Sequence, residues 1–105
     1  MREKINRKGQ YWVYIVECAD NTYYTGYTPD IEKRIKLHNA GRGAKYTRDR
    51  RPVKLVWSKE YHQFKSAFKT ERAIKRLTRL QKESLVKGRR LDKVLEEAKK
   101  YGSKK

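Results

Sequence analysis

Hydrophobic positions fall into two kinds of pattern along the chain. YWVYIVEC (11–18) and TYYTGYT (22–28) are rich in aromatic and β-branched residues and are separated by Ala19-Asp20-Asn21. That arrangement predicts two strands joined by a turn. VKLVWSKEY (53–61) alternates Val53, Leu55 and Trp57, which predicts a third, half-buried strand. Elsewhere the period is helical. IEKRIKLHNA follows Thr28-Pro29-Asp30, where Thr28 suits a cap and Pro29 a first helical position, and it stops at Gly41. A second helix runs from about residue 64 through Leu77. Thr78 with Gln81 forms a capping-box pattern opening TRLQKESLVKG, and LDKVLEEAKKY supplies a last helix. Between them, GRGAKYTRDRRP (41–52) reads as a glycine-rich basic loop. The order β-β-α-β-α-α-α predicts an α+β fold, a three-stranded antiparallel sheet flanked by helices. No repeat or internal linker interrupts it. Residues 1–10 read as a flexible basic arm, 11–87 as the main domain, and 88–105 as a C-terminal helix with a frayed tail.

Composition adds a partner class. The 105 residues suit one compact domain, with 36% hydrophobic and 39% charged residues. Twenty-nine Lys+Arg against 12 Asp+Glu give a net charge of +17, which favours a polyanionic partner without naming an activity. The single cysteine, Cys18, excludes an intramolecular disulfide and a multi-cysteine zinc site. No long apolar run is present, and MREKINRKGQ lacks the apolar segment of a signal peptide. The expectation is a cytoplasmic domain that faces nucleic acid and not membrane.

Chemistry enters through residues placed where solubility would not put them. At 100° per residue, Ile31, Arg34, Ile35 and His38 share one arc of the first helix, so the face packed on the sheet also carries an arginine and a histidine. On the second helix Phe64, Ala67, Phe68, Ile74 and Leu77 form the apolar arc, and Glu71 falls in its middle. A buried unpaired carboxylate is costly. Glu71 therefore either braces the core through Lys75 or Arg34, or belongs to a site. Loop length decides the hairpin tyrosines. A two-residue turn puts Tyr14 and Tyr24 on opposite faces; a three-residue turn or a bulge puts them on the same one. In and beside the basic loop, Arg42, Lys45, Arg48, Arg50, Arg51 and Lys54 stand against one acid, Asp49, with Tyr46 among them. Phosphate contacts and one stacking contact could share that loop, its glycines letting backbone approach the phosphates. Lys75 is the best-placed phosphate contact on the second helix.

Taken in order, Val13-Tyr14-Ile15, Tyr24-Thr25-Gly26, Arg34, His38 and Glu71 resemble the GIY-YIG nuclease superfamily. The strings YTG, HNAG, GAKYT, RRPVKLV and AxxxExxIKRLTRxQK are similar to its small single-domain bacterial branch of uncharacterised proteins. The similarity spans about residues 11–87. The first motif departs from the family pattern, with Trp12-Val13-Tyr14 in place of Gly-Ile-Tyr, and the second reads Tyr-Thr-Gly in place of Tyr-Ile-Gly. The resemblance implies one divalent ion, Mg²⁺ or Mn²⁺, held by Glu71. It implies that Tyr14 orients or deprotonates the attacking water, its pKa lowered from about 10 by cationic surroundings. It further implies that Tyr24 positions water or phosphate, that Arg34 offsets charge on phosphorus, and that His38 bonds a phosphate oxygen or shuttles a proton. The family's late asparagine has no counterpart, since no asparagine follows Asn39; Gln81 and Lys82 are the substitutes to consider.

Two functions follow from different classes. One is a monomeric, metal-dependent DNA endonuclease, structure-directed or weakly selective, of the kind that serves DNA repair at branched, flapped or damaged sites. The other is a catalytically weak or inert nucleic-acid-binding module on the same fold. Retention of Tyr14, Tyr24, Arg34, His38 and Glu71 together favours the first.

Overall fold

The computed structural model describes residues 10–101; residues 1–9 of the arm expected at 1–10 and the tail at 102–105 lie outside it. Strands β1 (Tyr11–Glu17), β2 (Tyr23–Thr28) and β3 (Lys54–Tyr61) form one antiparallel sheet in the order β2-β1-β3. Helices α1 (Ile31–Asn39) and α2 (Lys45–Arg48) separate β2 from β3, and α3 (Phe64–Lys75), α4 (Arg79–Val86) and α5 (Leu91–Tyr101) follow. No helix among the described residues is long and apolar enough to cross a membrane.

The hairpin turn is of the odd kind. Cys18 N–H donates to the Thr22 carbonyl at 2.8 Å, which leaves Ala19, Asp20 and Asn21 as a three-residue loop. Asn21 takes the left-handed conformation at φ 68°, one of the few side chains that tolerates it. Its N–H reaches the Cys18 carbonyl at 2.9 Å. The Asp20 carboxylate accepts from the Thr22 N–H and hydroxyl at 3.2 and 2.6 Å. In the resulting register Tyr14 lies opposite Gly26 and Val16 opposite Tyr24, so Tyr14 and Tyr24 share a face.

That face is covered by α1 and the segment after it, with Ile31 and Ile35 packed against Tyr14, Val16, Cys18 and Val53. The opposite face holds the larger core. Val13 and Ile15 pack with Ala67 and Ile74 of α3, then Leu77, Leu85 of α4 and Val94 of α5. The last helix thus joins the main core.

Several sequence expectations are corrected here. A bulge between Ile15 and Val16 puts Trp57 opposite Ile15 but Leu55 opposite Val16. An extra residue inverts the side-chain alternation, so Leu55 is 41% exposed on one side while Trp57 packs on the larger core on the other. The cap of α1 is Asp30, whose carboxylate accepts from Lys33 N–H at 3.1 Å. Thr28 instead turns its hydroxyl onto the Asp30 backbone. The 41–52 segment is not all loop, because α2 forms within it. Phe64 and Phe68, expected in the core, stack on each other at 5.7 Å and remain 46% and 39% exposed. Once Ala67, Glu71 and Ile74 face the sheet, these two rings lie at the rim. The capping box at Thr78 and Gln81 is present in both directions.

Thr25 is 2% exposed and its hydroxyl has no hydrogen-bond partner among the described residues. An unsatisfied buried hydroxyl costs stability that an isosteric methyl does not. Thr25→Val should raise stability by about 1 kcal/mol, read as a higher denaturant midpoint with an unchanged slope; a lowered midpoint would show that the hydroxyl is partnered.

Candidate active site

Tyr14 is 1% exposed in the central strand, and its ring lies over the backbone of the neighbouring strand. A Cβ built at Gly26 would stand 2.7 Å from the Tyr14 hydroxyl and 2.9 Å from Cζ. The glycine of the YTG string is thus required by the phenol beside it, not by turn geometry.

Helix α1 presents His38 to that phenol. The imidazole is fully buried. Its Nε2 lies 2.8 Å from the Tyr14 hydroxyl and its Nδ1 2.8 Å from Thr47 Oγ1. Thr47, also fully buried, donates its hydroxyl proton to the Ala44 carbonyl at 3.2 Å. The glycine-rich segment folds closely around the ring: a Cβ at Gly43 would approach His38 Nδ1 to 2.4 Å. That glycine serves contact with a histidine, where the sequence suggested approach to phosphate. Gly41 ends α1 at φ 84°, a conformation that favours glycine.

Tyr24 completes an aromatic wall. Its ring sits 6.5 Å from Tyr14, 5.4 Å from His38 and 5.9 Å from Tyr46, nearly parallel to the last. The guanidinium of Arg50 covers Tyr46 at 4.0 Å. The same side chain bonds the Tyr46 carbonyl at 2.7 Å and the Asp20 carboxylate at 3.0 Å. Tyr46 therefore has two partners at its ring, and Arg50 ties the hairpin turn to α2. These contacts give both residues a structural task that the sequence did not show. Arg42, Lys45, Arg48 and Arg51 remain exposed along this segment. Arg48 and Arg51, with Asn39, Asp49 and Pro52, line an open cleft of about 570 Å³.

Glu71 comes from the other side of the sheet, on α3, and is 7% exposed. Its Oε2 meets Lys75 Nζ at 2.9 Å, the first of the two braces the helix spacing allowed. Half-buried Arg34 donates to the Gly43 carbonyl at 3.5 Å, and Glu71 pairs with Lys75 instead. An open cavity of about 440 Å³ runs along Glu71, Tyr27, Phe68, Arg72, Lys75 and Arg76.

Charge ties these groups together. Burial pushes the Tyr14 phenol well above its usual range; the Tyr24 phenol adds to this, Arg34 opposes it, and Glu71 adds a little more. This corrects the expectation that cationic neighbours lower it, since desolvation outweighs the one nearby guanidinium. His38 moves the other way. Burial first, and then Arg34, depress its pKa, so the ring is neutral. Lys75 is raised, chiefly by its hydrogen bond to Glu71. Half-buried Lys82 on α4 is lowered by burial and by Lys75. Of the two substitutes for a late asparagine, Gln81 is committed to the Thr78 cap. Lys82 is the one left facing the Lys75 charge.

The described residues hold no cluster of three or more His, Cys, Asp or Glu able to bind a metal among themselves. A single buried carboxylate fits a hard cation that keeps most of its waters. The ammonium of Lys75 already marks a place beside Oε2 where a cation is stabilised.

A profile of the GIY-YIG catalytic domain matches residues 10–84. The chain is 52% identical over 73 residues to a UPF0213 protein of Halobacterium salinarum, covering 70% of this chain and 95% of that one. It is 43% identical over 83 residues to the UPF0213 protein YazA of Bacillus subtilis, covering 79% and 84%. The solution NMR structure of a protein from E. faecalis superposes with a TM-score of 0.54 at 40% identity, over 83% of this chain and 88% of that one. That of a UPF0213 protein from Bacillus halodurans gives 0.51 at 40%, over 85% and 95%.

Proposed function

We propose, from the premise that this chain belongs to the GIY-YIG catalytic-domain family, that it is a metal-dependent endonuclease acting on DNA. The observation that carries the reading is the hydrogen-bonded pair of buried Tyr14 and neutral His38, within the electrostatic reach of Glu71 and Arg34. Residues 11–87 form the nuclease unit in this reading, with 88–105 as an added helix and tail, working as a cytoplasmic monomer.

Hydrolysis of a phosphodiester needs a proton taken from water, charge offset on phosphorus, and help for the leaving oxygen. A buried phenol is a poor base while it holds its own proton. Handing that proton to His38 Nε2 as the phenol takes one from water would let Tyr14 act without ever carrying full charge. Arg34 supplies a fixed positive charge beside this exchange. A divalent ion on Glu71 would polarise the phosphate and steady the leaving oxygen. Lys75 would then leave the carboxylate, free to meet a phosphate. Arg42, Lys45, Arg48 and Arg51 supply sequence-independent backbone contacts, which favours structure-directed or weakly selective cleavage.

The test is labelled single-stranded, duplex, flapped and four-way DNA, with RNA alongside, incubated with Mg²⁺ or Mn²⁺. Cleavage that stops on chelation and resumes when metal is restored is expected. Tight binding with no cleavage of any substrate would favour the inert module, to which the departing first motif and the missing late asparagine point.

A further inference from the structure

We propose that Thr47 is a positioning residue for this chemistry: its hydroxyl holds His38 in the tautomer that carries its proton on Nδ1, so that Nε2 is bare and can receive the Tyr14 proton. The inference rests on the nuclease reading for its consequence, but not for its geometry.

The assignment follows from counting protons along one buried row. Ala44 offers a carbonyl, which only accepts, and Thr47 Oγ1 donates to it at 3.2 Å. A hydroxyl has one proton. With that proton committed, Thr47 can meet His38 Nδ1 at 2.8 Å only as an acceptor, so Nδ1 carries the hydrogen. The neutral ring has one N–H, so Nε2 is an acceptor and Tyr14 is the donor at 2.8 Å. All donors in the row then point one way, from Tyr14 through His38 and Thr47 to Ala44. The opposite tautomer would need Thr47 to turn away from Ala44 and would aim an N–H at the Tyr14 oxygen. That would break the Thr47–Ala44 bond and point the phenol proton away from the imidazole.

Among the described residues, nothing else facing the ring could set this orientation. Arg34 on α1 is cationic and cannot accept a proton. Tyr14 on β1 meets the other nitrogen, Tyr24 on β2 offers the ring only an aromatic contact, and Gly43 has no side chain. Thr47 sits on the short helix α2, whose N-cap is Ala44, so the fold of that one turn fixes donor and acceptor together.

During turnover the water proton moves to the Tyr14 oxygen as the phenol O–H breaks. Its proton forms the Nε2–H bond, giving an imidazolium whose Nδ1–H remains on Thr47. The water oxygen, freed of that proton, bonds to phosphorus; when the phenol then gives a proton to the departing oxygen, the Nε2 proton passes back to Tyr14 and the starting state is restored. Thr47 neither gains nor loses a proton.

The experiment uses the full chain with ¹⁵N-labelled histidine. Only His38 and His62 contribute signals, and His62→Gln assigns them. At neutral pH the expected wild-type spectrum shows His38 protonated on Nδ1 and bare on Nε2. Thr47→Ser should keep that pattern; Thr47→Val should move the proton to Nε2. In cleavage assays Thr47→Val should lower kcat about a hundredfold, less than the roughly 10⁴ that the wrong tautomer costs in a serine-protease triad, since no charge is lost. KM should be unchanged, and Thr47→Ser should recover most of the rate. A wild-type ring protonated on Nε2 would overturn the proposal whether or not Thr47→Val folds. A Thr47→Val ring still protonated on Nδ1 would overturn it too. A protein with the expected tautomers but no cleavage would sink the nuclease reading and leave the orienting role of Thr47 in place.

Discussion

Glu71→Gln should abolish cleavage, by about a thousandfold or more, while nucleic-acid binding persists. The scale is that of losing a main electrostatic contributor to a developing charge. Glu71 is the buried acid among the described residues, and its ion-pair partner is Lys75 at 2.9 Å. Glutamine keeps the shape and offers an oxygen but no charge, so the divalent ion loses its anchor. The basic residues at 42–51 lie on other elements and should still hold the DNA. Lys75 is half-exposed and returns to water without a large penalty. Folding should therefore survive, and unchanged far-UV dichroism would show it. Mn²⁺ titration of the two proteins reads the anchor directly. Equal Mn²⁺ affinity in both, or undiminished cleavage by Glu71→Gln, would remove Glu71 from the reaction.

The second large effect belongs to Tyr14→Phe. Loss of the hydroxyl should cut the rate by about 10²–10⁴, the range of a positioned acid or base. Ring volume is kept and Gly26 still has room for it, so the sheet should form. Removal of the donor leaves buried Nε2 unpartnered and should cost about 1–3 kcal/mol of stability, read in denaturant. Tyr23→Phe, at a half-buried ring on the other face, should leave the rate near wild type. A Tyr14→Phe protein that cleaves normally would transfer the base to another group.

The same pair sets an acid limb. His38 has its pKa depressed in the folded chain by burial and by Arg34, below an unfolded value of about 6.5. As pH falls from 6.5 the unfolded chain takes the proton first, so the stability held above that pH is lost as pH drops through the folded pKa. Protonation also removes the acceptor on Nε2, and cleavage should fade over the same acidic window.

Elements with local causes are legible in the residues alone. Capping at Thr78 with Gln81, the helical arc that carried Arg34 and His38 inward, and the carboxylate of Glu71 in an apolar face all depend on spacing within a few residues. Each is found as the period implied. The resemblance to GIY-YIG proteins was legible for the same reason, because its residues keep their order and intervals. Features that depend on residues distant in the chain emerge only when the elements pack. The Ile15–Val16 bulge is a mismatch between two strands and has no signature in either alone. Phe64 and Phe68 follow the helical period but overhang the sheet, so periodicity placed them inside where the packed edge leaves them at the rim. Thr47 carries no charge and sits among arginines, so nothing local marks it. It matters because α1 and α2 fold against each other and bring its hydroxyl to a buried imidazole. Charge alone predicts a lowered Tyr14 pKa, and the fold raises it. Burial is a property of the whole fold, and at a fully enclosed phenol it outweighs one neighbouring arginine.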